Sequence, residues 1–81
     1  MSYFIDQYAK FKSGMFIKHN DMLDILLILD TPCAIVGKYF YPIKIIQSTY
    51  RYIEKRTEYL SQMNLEYNYH ELTPLEKLKY L

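Results

Sequence analysis

Three side chains in this 81-residue sequence carry chemistry of their own: His19, Cys33 and His70. A thiolate beside an imidazole makes a nucleophile, and the same residue types bind zinc. Either use needs partners at short, repeated spacings. These three stand singly, with no paired Cys or His motif. Cys33 reads as a structural residue, since free cysteine is among the most buried residue types. The carboxylates do no better as acid–base pairs: Asp21 and Asp24 suit the first turn of a helix, and Glu54 and Glu58 a solvated face. Gly14 and Gly37 are the only glycines, so no glycine-rich loop can cradle a phosphate. The chain therefore reads as a non-enzyme, with no catalytic, metal-binding or cofactor-binding residue and no small-molecule substrate.

One stretch stands apart. "KYFYPIKIIQSTYRYIEKR", residues 38–56, holds four of the ten tyrosines, and Lys38, Lys44, Arg51, Lys55 and Arg56 against the single acid Glu54, for +4. The segments on either side are acidic: residues 1–37 sum to −1 and residues 57–81 to −2, giving the chain's +1. Basic residues interleaved with aromatics can neutralise phosphates and stack on bases. Tyrosines at helical spacing can equally form a core or a protein interface. Lys38, Lys44, Arg51, Tyr52, Lys55, Arg56 and Tyr59 are the candidate partner or nucleic-acid contacts. Arg51 with Glu54 and Lys55 with Glu58 are also i, i+3 pairs of the kind a solvated helix shows.

The elements expected to position these residues are helices. Phe4, Tyr8, Phe11 and Met15 recur on one face and predict a helix over residues 3–13, capped by Ser2 and closed by Gly14. "HNDMLDILLILDTP" predicts a second, buried one that starts at Asn20 and stops before Pro32. Residues 31–37 fit a short third helix, with a strand over 34–40 as the alternative. Pro42 then opens the longest, about 42–63. Ile43, Ile46, Tyr50, Ile53 and Leu60 lie on its 3-4 spaced line, as a dimer seam or core. Thr73, Pro74 and Glu76 form a capping box before Leu75, Leu78 and Leu81. A helix-turn-helix over 21–41 is disfavoured, because its second helix is short and poor in polar side chains.

The sequence thus predicts an all-α fold: a compact bundle of four to five helices in a single domain, 1–81. At 51% apolar and 81 residues the chain strains to bury its apolar share alone, which argues for a homodimer. No targeting signal is visible, and the apolar run Ile25–Leu29 is far shorter than a membrane span. One cysteine fits a reducing, cytoplasmic setting. Ile, Lys, Tyr, Asn and Phe fill 34 positions while Arg, Ala and Gly fill two each, the bias of an A/T-rich gene such as a phage's or a virus's. The expected function is a small intracellular regulator or inhibitor that binds a protein partner through a Tyr-rich helical face. The alternative is nucleic-acid binding through residues 38–56.

Overall fold

A computed structural model describes residues 9–81. It overturns the all-α expectation. Six strands form one antiparallel sheet, and the described residues include only two short α-helices and one 3-10 turn. The strands are β1 (Phe16–His19), β2 (Ile25–Ile28), β3 (Cys33–Ile35), β4 (Lys38–Gln47), β5 (Thr57–Ser61) and β6 (Tyr69–Glu71). The helices are α1 (Gln62–Asn68) and α2 (Pro74–Tyr80). Of the helix expected over 3–13, residues 9–13 are not helical, and the remainder lies outside the described residues. None of the helices expected from Asn20, over 31–37 or over 42–63 forms. Among the described residues no helix is long and apolar enough to cross a membrane.

β4 organises the molecule. Its Tyr41, Ile43 and Ile45 are buried while Phe40, Pro42, Lys44 and Ile46 between them are only half-buried, the two-residue period of a strand. One edge of β4 pairs with β2 and β3 in turn (Ile43↔Ile28, Phe40↔Cys33), and the other pairs with β5 (Tyr41↔Leu60). β1 joins β2, and β6 returns to pair with β1. An extra residue in β4, opposite the step from Ile25 to Leu26, makes a bulge that bends the sheet. The strands at the two ends of this order, β5 and β6, line one cavity together, so the sheet curls around its core. That core joins Phe11, Ile17, Leu26, Ile28, Tyr41, Ile43, Ile45, Leu65 and Tyr69.

Pro42, expected to start a helix, sits mid-strand. Its carbonyl accepts from the Leu29 N–H at 2.9 Å, so its missing N–H faces the gap where β2 has ended and β3 has not begun. The Leu29 carbonyl, left without a return bond from a proline, accepts from Ser13 Oγ at 2.9 Å instead. β3 and β4 are joined by a two-residue turn in which Val36 (φ 49) and Gly37 (φ 77) are both left-handed, the signature of a type I′ hairpin.

A second polar feature fixes α1 against β4. The Tyr41 hydroxyl accepts from the Phe11 N–H (3.1 Å) and donates to Glu66 Oε2 (2.6 Å). That oxygen also accepts from the Lys10 N–H and Gln62 Nε2, each at 3.0 Å. Burial pushes the Glu66 carboxyl up, but these donors outweigh it and hold it below the usual range. Burial, and then the hydrogen bond to Glu66, push the Tyr41 phenol far up.

Candidate nucleic-acid interface

The basic-aromatic segment divides between a strand and the loop that follows it. β4 carries the chain to Gln47, and Ser48–Arg56 turn it back into β5. Polar residues of the loop brace it from within. Ser48 N–H donates to Glu54 Oε2 (3.1 Å), Tyr50 N–H to Ser48 Oγ (3.1 Å), and Thr49 N–H to Asp24 Oδ1 (2.9 Å) across the loop's base. Arg51–Ile53 form the 3-10 turn, and Ile53 packs against the core as the loop's apolar anchor. Lys55 adopts φ 70, and Lys55 and Arg56 together face Ile45, with bonds of 2.6 and 2.8 Å, as a bulge.

The bracing drives Tyr50 and Tyr52 outward. They are 59% and 75% exposed, with ring centroids 6.1 Å apart and planes at 60°. Arg51 stands between them in the chain, and Lys55 and Arg56 follow, all three exposed. Among the described residues none of these three side chains makes a hydrogen bond or ion pair. The expected pairs Arg51–Glu54 and Lys55–Glu58 do not form: Glu54 is turned inward to Ser48, and Glu58, opposite Ile43 on β5, is exposed at the mouth of a cavity rather than paired with Lys55. A charged side chain with no local partner is free to meet an anion.

The remaining candidates lie elsewhere on β4 and β5. Lys44 and Tyr59 share the outer face, opposite Thr57 and Pro42 respectively, and Tyr59 is exposed. Lys38 is at the far end of β4, about 30 Å away at strand spacing. It lines a cleft of about 560 Å³ with Met63 and Tyr67 of α1 and does not belong with the loop. The helical seam dissolves with its helix. Ile43 is in the core, Ile53 and Leu60 pack against it, Ile46 is half-buried on the outer face, and Tyr50 is exposed. Sequence spacing puts Tyr50 inside; the signal that it belongs to a loop is Ser48-Thr49, two turn-forming side chains just ahead of it.

Cys33 and His70 stand on β3 and β6, separated in the sheet by β4, β2 and β1. Among the described residues no three His, Cys, Asp or Glu side chains gather to hold a metal. His70 instead bridges Asn20 Oδ1 (2.7 Å) and the Glu76 carboxylate (3.1 Å), which ties α2 to the sheet. The Thr73 N–H and His70 hold the Glu76 carboxyl below its usual range. Compared with known proteins, the chain matches no family model, no curated protein and no solved structure.

Proposed function

We propose that the chain is a small binding protein whose loop 48–56 grips single-stranded nucleic acid. The observation that carries the reading is the exposed Tyr50–Tyr52 pair set among three basic side chains with no partner of their own. Aromatic rings give bases a surface to stack on without regard to sequence, and Arg51, Lys55 and Arg56 can meet successive phosphates. A duplex keeps its bases stacked on one another and offers the tyrosines nothing, so single strands are preferred. The reading carries an intracellular location with it, supported by the single cysteine and by an amino-acid composition of the kind A/T-rich codons encode, as in a phage or viral regulator. Anisotropy titration of a labelled single-stranded 12-mer should give binding that the matching duplex lacks. Tyr52→Ala should weaken it by about 1–3 kcal/mol, roughly 5- to 150-fold. Preference for the duplex, or no change in Tyr52→Ala, would contradict the reading.

A second reading, a protein partner, is favoured by α2. This helix buries none of its residues, and Leu75, Leu78 and, just past its end, Leu81 are largely exposed. Apolar area of that kind is used by interfaces. A homodimer through this face would scatter light at about twice the 9.9 kDa chain mass, and Leu78→Glu would return it to a monomer.

A further inference from the structure

A separate cavity of about 130 Å³ opens beneath the loop, where β5 and β6 face each other without pairing. Its apolar wall includes Leu26, Ile45 and Leu60. Its polar groups include Asp24, Glu58 and Tyr69. Tyr69 is 8% exposed, yet its hydroxyl makes no hydrogen bond among the described residues. Among the described residues no buried side-chain oxygen or nitrogen is left both sealed and unsatisfied, so that hydroxyl is open to solvent, and Tyr69 is one of the residues lining this cavity. Asp24 uses only Oδ1, on Thr49, and Glu58 has no hydrogen bond or ion pair among the described residues. Burial and the charge of Asp24 push the Tyr69 phenol up to about 12, so it stays neutral and can accept a hydrogen bond through its oxygen.

We infer that this cavity is a binding site for a primary alkylammonium group. The methylene stem lies along Leu26, Ile45 and Leu60, and the ammonium donates to Glu58, Asp24 Oδ2 and the Tyr69 oxygen. Three acceptors match the three N–H donors of an ammonium. The volume agrees: a cavity of about 150 Å³ takes up benzene, so one of this size takes a four-carbon chain. The competing account makes Glu58 an inward-pointing charge that guards the open edge of β5 against pairing with another chain. That account gives Glu58 a reason to be charged, but it assigns no role to Asp24 and Tyr69 at the same opening.

The test uses the full chain with methyl-labelled isoleucine and leucine, titrated with n-butylammonium and, as its neutral counterpart, 1-butanol. The butylammonium should shift the Leu26, Ile45 and Leu60 methyls saturably, at least about tenfold more tightly than butanol, as a hydrogen-bonded charge requires. Glu58→Gln, an exposed site that should not affect folding, should erase most of that difference. Tyr69→Phe should weaken butylammonium by about threefold or more, the loss of one such bond. Equal binding of amine and alcohol, or an unchanged titration in Glu58→Gln, would overturn the proposal. A Gly-Gly-Lys-Gly-Gly peptide and spermidine separate the sources. Tighter binding of the peptide assigns the site to a partner's lysine, and tighter binding of spermidine to a free polyamine. Binding of neither overturns it.

Discussion

Val36 is 96% exposed and holds a left-handed φ of 49, a conformation that costs a β-branched residue of the order of 1–3 kcal/mol. Asn tolerates it, and Asn-Gly is the preferred type I′ pair. Val36→Asn should therefore raise stability by about 1 kcal/mol, or about 4–8 °C in Tm for a domain of this size. A lower Tm would mean that the turn is not of this type. Glu66 makes the pH prediction. Its folded carboxyl sits below the unfolded value, so its contribution is complete above about pH 4.3 and is lost as pH falls through the folded value. Urea titrations of the wild type and Glu66→Gln should differ in stability at pH 7 and converge in strong acid. A gap that persists at pH 2 would place its cause in packing rather than in charge.

At the scale of elements, β4 makes a claim that a helix would not. Its period of two buries Ile45 and leaves its neighbour Ile46 half-buried. Ile45→Ala should cost about 2–5 kcal/mol by opening a cavity, and Ile46→Ala well under half as much, both read by chemical denaturation. A helical seam through Ile46 would reverse that order. The two periods coincide in this sequence, which is why the strand was hard to read. Ile43, Ile46, Tyr50 and Ile53 fit a 3-4 line only because a loop after Gln47 happens to bring Tyr50 and Ile53 into phase. The alternation of Tyr41, Ile43 and Ile45, together with the run of aromatic and β-branched residues from Tyr39, was the contrary signal. Pro42 hid it, since nothing in the sequence announces that the partner strand breaks off opposite a proline. Leu26, Leu27 and Leu29 masked β2 in the same way. By contrast, α2 was legible from its ends: the capping box of Thr73 and Glu76 forms with both bonds present, because it depends on local chemistry alone. The loop's basic and aromatic character was equally plain. Its loss of local ion pairs was not, because that depends on Glu54 and Glu58 being turned elsewhere by the fold.

For the whole molecule the charge pattern matters more than the total. A net +1 gives no general attraction for a polyanion. The proposed reading places any such affinity in the loop, which carries Arg51, Lys55 and Arg56 while the acids Glu54 and Asp24 are engaged in bracing it. Binding should therefore be modest, local and confined to a few nucleotides, with a salt dependence that counts the loop's own cations. The most direct measurement is the affinity for a single-stranded oligonucleotide across a series of salt concentrations, for the wild type and for the Arg51→Ala, Lys55→Ala, Arg56→Ala triple variant. Three phosphate contacts on a single strand predict a log–log slope near −2, at about −0.7 per contact, and a slope near zero in the triple variant. A wild type that does not bind, or a slope that survives the loss of all three side chains, would contradict the assignment of this loop as the interface.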